Sequence, residues 1–496
     1  MKVKWPVICA LLGLCSSMAV AGETSDPFDT EALLPLKPAL RLGGAVGDPC
    51  EETMPDGALS LLDVINLTLC KNPQTREAWA SARVQAAQVG ISKASYLPSP
   101  ALTASGNRSR VDTAPSVYQR SVGLSLSYLL YDFGARAANL ENARQLLDAA
   151  TAAQDGTVQT VFLSAVQTFY QTQAALAALN AAQEAERAAK ESFAAAEARY
   201  IAGSATPADK LQAQTAYSQA TLNRISTDGN LKNAKGALAN MLGLDANRDV
   251  PLVAANGFTA QPGSFNPAKG EAYAEAGYTK EGETEALKIF GRDIAALIEE
   301  ARQHRPDLYA AAAQVKAAEA NVEAARAAGK PSISLTASSN HSSSAGIVSR
   351  GSSAGLTLSV PLFSGFAPTY RIRAAEAQVE TKNAQLERLR LQVALDVWTA
   401  YQNLATATQS LRSTADLLNS AEQSERVALG RYKAGVGSML DVLNAQSALA
   451  GARQQRIQAT FNWNISRAAL AQAMGSLNAD LLQALPDSNR PTKKQP

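Results

Sequence analysis

The residues of this chain best equipped for chemistry come in two matched sets. Arg199 and Tyr200 are followed by Gly203, Ser204 and Asp209, and Arg431 and Tyr432 by Gly435, Val436 and Asp441, at the same spacing. An arginine, a phenol and a carboxylate so placed can form ion pairs and charge-assisted hydrogen bonds. They provide no nucleophile–base pair, and no phosphate-binding loop is discernible elsewhere, so an enzyme is not indicated. His304 and His341 stand in different contexts, away from any Cys/His/Asp/Glu cluster, and read as solvent-facing singletons. No metal and no cofactor is expected.

Both sets belong to an internal repeat offset by 232 to 233 residues. Residues 199–214 align with 431–446 without a gap, eight of sixteen positions being identical, which chance alone would not give. Upstream, Pro73 matches Pro306, Pro98 matches Pro331, and Leu102-Thr103-Ala104-Ser105 matches Leu335-Thr336-Ala337-Ser338; downstream, Gly243 matches Gly475. The repeated segment itself reads first as a turn. Gly203 and Gly435 suit the left-handed position that ends a helix, and Thr206 and Ser438 suit the cap that starts the next, with Pro207 at its first residue. Capping leaves the Arg-Tyr pairs unexplained.

The elements that must position these turns follow from periodicity and composition. Hydrophobic residues make up 46% of the 496 residues but aromatics only 6%. Much of the remainder is alanine, which favours long, closely packed helices over a bulky core. Leu386, Leu389, Val393, Val397, Ala400, Leu404, Ala407, Leu411, Ala415 and Leu418 advance by three or four residues each, one continuous helical stripe. A helix over about 367–433 and a return to about 475 are predicted, with a matching pair over about 134–201 and to about 243. The first arm of each pair would be about 100 Å long and needs an antiparallel coiled-coil partner. Trp398 and Trp463 on these helices read as packing residues. Shorter helices over about 59–95 and 290–328 lead into strands at 102–107, 122–128, 333–338 and 356–362, joined by polar hairpin loops near 108–118 and 341–353. Tyr128, Tyr131, Phe363 and Phe366 fall where an interfacial aromatic belt would lie.

The start of the chain reads as an export signal. Lys2 and Lys4 precede the apolar run 7–14, and Ala19-Val20-Ala21 offers small residues for cleavage, so residues 1–21 form a leader. Leu14 stands where lipidation of Cys15 would need a small residue. No later stretch is apolar for the roughly 20 residues that a membrane helix requires. An exported chain of this kind is either soluble or crosses a membrane as strands. Strand edges cannot be left unpaired in hydrocarbon, and four strands are too few to close, so the chain would have to associate into a barrel of eight, twelve or sixteen strands. Cys50 and Cys70 remain after the leader is removed. In an oxidising compartment such a pair is expected to bridge, contributing roughly 3 kcal/mol through loop closure. Lysine and arginine number 46 against 44 acidic residues, so nucleic acid is not an expected partner.

The Arg-Tyr-x-x-Gly-x-x-x-x-x-Asp-x-Leu-x-Ala-Gln segment occurs twice, each copy following a strand–loop–strand and a long helix. In this it resembles the TolC-type outer membrane factor family, over about residues 59–476. The resemblance implies a mostly α chain with a transmembrane β-barrel part: a homotrimer closing a twelve-stranded barrel in the bacterial outer membrane, above a helical tunnel through the periplasm. Its partners would be outer membrane lipid, a periplasmic adaptor, and an inner-membrane ABC exporter or proton-driven pump. The domains would be a leader (1–21), an extended segment (22–58), a first repeat (59–243), a connection (244–289), a second repeat (290–476) and a tail (477–496). Carried over from the family, Tyr432 would bond Asp209 of the other hairpin, and Asp441 would line the bore as a ring of carboxylates. Arg199, Tyr200, Gly203, Ser204, Arg431, Gly435 and Val436 would form tips that dock the adaptor. Gly437 stands where an arginine lock can stand, and Asn444 where a second acidic ring can stand, so the closed state and its cation site should both be weaker. The Cys50 region and Leu69-Cys70-Lys71-Asn72-Pro73-Gln74-Thr75 look like the branch serving type I secretion of adenylate-cyclase-haemolysin toxins. Drug-efflux members share the whole scaffold. A secreted coiled-coil structural protein would explain the helices and the export, but not four alternating strands placed identically in both halves.

Overall fold

A computed structural model describes residues 26–34, 57–112, 114–253 and 293–476. The leader, Cys50, most of the 244–289 connection and the 477–496 tail lie outside the described residues. The two halves carry the same elements in the same order. The first has α1 (Leu61–Lys71), α2 (Pro73–Ala94), β1 (Ser99–Val111), β2 (Ala114–Tyr131), α3 (Ala135–Ile201) and α4 (Pro207–Met241). The second has α5 (Ile294–His304), α6 (Pro306–Ala327), β3 (Ser332–Ser344), β4 (Ile347–Ser359), α7 (Ala367–Lys433) and α8 (Met439–Ala473). Both long helices contain 67 residues and both return helices 35, so the sequence repeat is a repeat of structure.

Each leading helix, expected to be continuous, is broken in two. Asn72 (φ −63°, ψ 130°) and Arg305 (φ −72°, ψ 123°) are extended because each precedes a proline, whose ring clashes with a helical predecessor. The broken ends are then held by side chains: the Asn72 amide donates to the Met241 carbonyl at 3.1 Å, and Arg305 pairs with Asp307 at 2.6 Å and Asp396 at 2.8 Å. Burial lowers the basicity of Arg305, but its bonds to Asp307 and Asp396 outweigh that and raise its pKa. Gly243 (φ 71°) and Gly475 (φ 72°), which end α4 and α8, sit against these two breaks.

The chain forms two compact units. One comprises residues 80–151 and 311–384 with the N-terminal 26–34 segment, and holds the sheet; the other holds the helical hairpin ends and most of the buried side chains. In the second unit, Val161, Phe162, Ala165 and Val166 of α3 pack with Val64, Ile65 and Leu69 of α1, with Leu238 of α4 and with Leu242, which caps it. Leu297 and Ala301 of α5 pack with Val393, Val397 and Leu404 of α7 and with Trp463 of α8. Trp463 is buried, and its indole N–H donates to Thr408 at 3.1 Å. Trp398 instead stays 48% exposed within the chain, so the packing role expected for it is not met there.

The sheet is an antiparallel meander, β1-β2-β3-β4, with β1 and β4 as its edges. The strands run far into the stretches expected as loops, β1 reaching Val111 and β2 beginning at Ala114, with a turn of two residues at 345–346 between β3 and β4. Polar composition misled here: Ser, Gly, Asn and Arg pair through their backbones as readily as apolar residues. Ala345 (φ 48°) and Gly346 (φ 81°) make the left-handed two-residue turn that matches the twist of a hairpin. At the other end β4 stops at Ser359, short of Pro361, which lacks the N–H that would continue the ladder. Pairing divides the sheet into two faces. Leu102, Val122, Leu124, Leu126, Leu335 and Leu356 fall on one; Thr103, Ser105, Ser121, Ser125, Ser338 and Ser353 fall on the other. On the polar face Ser105 bonds Ser121 at 2.7 Å and Ser338 bonds Ser353 at 2.9 Å. At the helix end of the sheet Tyr131 packs edge-on against Phe133 and Phe363 against Phe366.

Candidate functional site

The two turns are built by the same bonds. The N–H of Gly203 donates to Tyr200 O at 3.0 Å and that of Ser204 to Arg199 O at 2.9 Å; Gly435 and Val436 donate to Tyr432 O and Arg431 O, each at 3.0 Å. These are paired closures of a helix end around a left-handed residue, with φ 72° at Gly203 and 80° at Gly435. The next helices open on capping boxes. Thr206 accepts from the Asp209 N–H while the Asp209 carboxylate accepts from the Thr206 N–H, and Ser438 and Asp441 do the same. Hydrogen bonds from Ser438, and secondarily the charge of Arg431, hold the Asp441 carboxyl below its ordinary pKa. Its cap is therefore fully present above the usual carboxylate range and fades as pH falls through that lowered value.

Across the two hairpins the contacts differ from the expected ones. Tyr432 is buried with Ala196, Ala213, Met439 and Val442, and its hydroxyl has no hydrogen-bond partner among the described residues. Asp209 is occupied at Thr206, bonded to its N–H at 3.0 Å and its hydroxyl at 2.8 Å. The bond expected between Tyr432 and Asp209 is therefore not made within the chain. The Arg199 guanidinium lies 4.2 Å from the Tyr432 ring centre and donates to Lys433 O at 3.3 Å, joining the end of α3 to the end of α7. Tyr200, by contrast, stays exposed, with Lys210 over its ring. Ser204, Asp441 and Asn444 are exposed, and so are Val436 (68%) and Ile201 (79%). At Gly437 a Cβ would meet the Arg431 and Tyr432 backbone at 3.0 to 3.1 Å, so the turn closes too tightly there to admit a larger residue without a shift.

Sequence reasoning missed the pair of Ser192 with Gln446, which joins α3 to α8 at 3.0 Å. Its signal was present, since Gln446 and Gln214 are identical in the two repeats. Arg453 with Glu184 and Arg224 with Glu186 further tie α8 and α4 to α3. Cys70 is disulfide-bonded, and Cys50, the partner expected from the sequence, lies outside the described residues. His304 and His341 are both exposed, on α5 and β3.

A sheet apolar on one face and polar on the other, open at both edges and joined to paired long helices, defines a class of proteins: channels of the outer membrane that close a barrel by association. The chain belongs to the outer membrane efflux protein family, whose model matches residues 64–244 and again 297–476. It is 32% identical to Protein CyaE of Bordetella pertussis over 436 residues, 86% of each chain. It is 25% identical to the outer membrane efflux protein BepC of Brucella suis, over 87% of this chain and 89% of that one. In fold it is similar to the CmeC outer membrane channel of Campylobacter jejuni, with a TM-score of 0.69 at 19% identity, covering 86% of this chain and 88% of that one. The protein is thus an outer membrane channel and not an enzyme, of a family of trimers that reach into the periplasm and work with periplasmic adaptors and inner-membrane transporters.

Proposed function

We propose that this channel is the outer membrane exit of a type I protein secretion system, fed by an ABC exporter through a periplasmic adaptor. The observation that carries the reading is the Leu69–Thr75 stretch, which resembles the toxin-secretion branch and makes a specific joint in this fold. Thr75 is fully buried and donates to Leu69 O at 2.9 Å and Asn72 O at 2.8 Å, while Asn72 ties the joint to α4. The test is deletion of the gene in its own host. One or more large proteins should vanish from the medium, with susceptibility to dyes, detergents and antibiotics unchanged. The reverse pattern would transfer the chain to small-molecule efflux, the reading suggested by the name of BepC.

Within the assembly the residues divide by exposure. Repeats 59–243 and 290–476, linked by 244–289, supply two hairpins per chain, and each turn offers an apolar side chain to water, Ile201 in one and Val436 in the other. These turns, with Arg199, Tyr200, Gly203, Ser204, Arg431 and Gly435, dock the adaptor. Asp441 and Asn444 lie one turn apart on the exposed side of α8, so three-fold symmetry would make of them a carboxylate ring beside an amide ring. Arg199 over Tyr432 takes the place of a Tyr432–Asp209 bond in holding the hairpin ends together.

A further inference from the structure

Each strand of the sheet places one basic side chain on a single line across the apolar face. Strand pairing sets Arg108 opposite Tyr118, Arg120 opposite Gly106, Val122 opposite His341, and His341 opposite Arg350. Residues two apart on a strand share a face, so Arg108, Arg120, His341 and Arg350 stand on the side that carries Leu102, Leu124 and Leu356. Successive members of the line are direct or diagonal cross-strand neighbours, about 5 to 8 Å apart. All four are exposed. Arg108 lies 4.9 Å from the Tyr118 ring centre, and Arg350 Nε donates to His341 Nδ1 at 3.3 Å. No aspartate or glutamate occurs within any of the four strands, and Asp112, in the β1–β2 turn, is the one acidic residue between 99 and 131. The three arginines of the line are therefore cations with no carboxylate on the four strands to pair with, and His341 stands among them as a hydrogen-bond acceptor.

Its height on the sheet says what would neutralise it. All four junctions with helices lie at one end, and the two strand-to-strand connections, β1 to β2 and β3 to β4, lie at the other. The basic line falls between the leucine rows and the turns, where hydrocarbon gives way to headgroups if the apolar face contacts lipid. We infer that Arg108, Arg120 and Arg350 bind the phosphate groups of an anionic lipid in the outward leaflet of the outer membrane, whose acyl chains lie on the leucine rows. Arginine matches phosphate oxygens with two parallel N–H donors, and repulsion within the row is relieved when a phosphate sits between its members. Continuity with the leucine rows selects a lipid over a free anion, which would gain nothing from them. The inference rests on the barrel reading.

The experiment uses the purified full-length trimer with bisphosphorylated lipid A, and native mass spectrometry to count bound lipid. Wild type should retain lipid A, and retention should fall about tenfold or more in the Arg108→Gln/Arg120→Gln/Arg350→Gln variant, since each arginine near an anionic surface contributes appreciably. Dephosphorylated lipid A should bind wild type and variant equally weakly, and added inorganic phosphate at equal concentration should displace little lipid. Equal retention by wild type and the triple variant would overturn the inference, and so would displacement by free phosphate. Should the triple variant fail to assemble, salt titration of wild type decides: retention indifferent to ionic strength would also overturn it. Planar-bilayer conductance separates the two readings, because a wild type that conducts while showing no arginine-dependent retention loses only the lipid site. A wild type that forms no pore loses the barrel and the lipid site together.

Discussion

Arg199 reaches across from one hairpin to the other and meets both the ring of Tyr432 and the backbone beyond it. A cation over an aromatic ring contributes roughly 0.5–1 kcal/mol when partly exposed, and a hydrogen bond from a charged donor roughly 1.5 kcal/mol or more. Among the described residues the Tyr432 hydroxyl has no bond to lose. Arg199→Gln should therefore raise single-channel conductance or open probability of the reconstituted trimer several-fold, whereas Tyr432→Phe should leave both near wild type. A Tyr432→Phe channel that opens as readily as Arg199→Gln would return the closing contact to the phenol. The motif marks the neighbourhood, and within the chain Tyr432 meets Arg199 there rather than Asp209. Spacing along one helix specifies which residues share a turn, and so the caps at Thr206–Asp209 and Ser438–Asp441 were legible. Which side chains meet across two separate hairpins depends on packing, here on Ala196 and Ala213 being small enough to seat the ring.

Glycines that end helices have different costs according to what surrounds them, and the structure separates two kinds. A Cβ on Gly203 would meet nothing within 4 Å, so Gly203→Ala carries only the strain of a left-handed alanine, about 1 kcal/mol. On Gly243 it would stand 2.8 Å from the Lys71 carbonyl oxygen, and on Gly475 2.9 Å from the backbone of His304. Those neighbours are the broken ends of α1 and α5, which cannot give way without moving the joint that Asn72 or Arg305 fixes. Gly243→Ala and Gly475→Ala should each cost roughly 2 kcal/mol or more. Thermal melting of the purified trimer should rank both well below Gly203→Ala, and equal melting of all three would refute the steric account. The match of Gly243 with Gly475 was visible in the sequence, but its cause was not, because the helix breaks were not foreseen. Pro73 and Pro306 match each other in the repeat, yet a proline at the first residue of a second helix looks, in an apolar periodic run, like continuation. The long helices were legible to within a residue or two at their first arms, since a stripe that keeps one phase from Leu386 to Leu418, between a strand and a glycine pair, has no competing explanation. Strand lengths were not, because serine and glycine carry no hydrophobic alternation to mark where pairing stops.

For the whole molecule the decisive feature is two open sheet edges. β1 and β4 have 13 residues each, and among the described residues their outward N–H and C=O groups meet no further strand. Each such group left bare in hydrocarbon costs several kcal/mol, a sum no packing elsewhere could offset. The edges must therefore pair with other copies, β4 of one chain against β1 of the next, and because a four-stranded meander ends antiparallel to where it began, the ring keeps alternating strand direction as copies are added. Cysteines on the polar face read this directly. Ser105→Cys in β1, combined in turn with Ser349→Cys, Gly351→Cys, Ser353→Cys or Thr357→Cys in β4, should give for at least one register a covalent trimer on a non-reducing gel, with dimer as its only intermediate. Ser105 and Ser349 lie at opposite edges of one sheet with two strands between them, through Ser121 and Ser342, so a bridge within one chain would require the sheet to unfold. A ladder continuing past trimer would mean open-ended pairing, and no cross-link in any register would mean that something other than a neighbouring copy covers the edges. Either result would remove the closed barrel, whereas an arrest at trimer fixes the pore wall at twelve strands and turns the serine face of every chain inward.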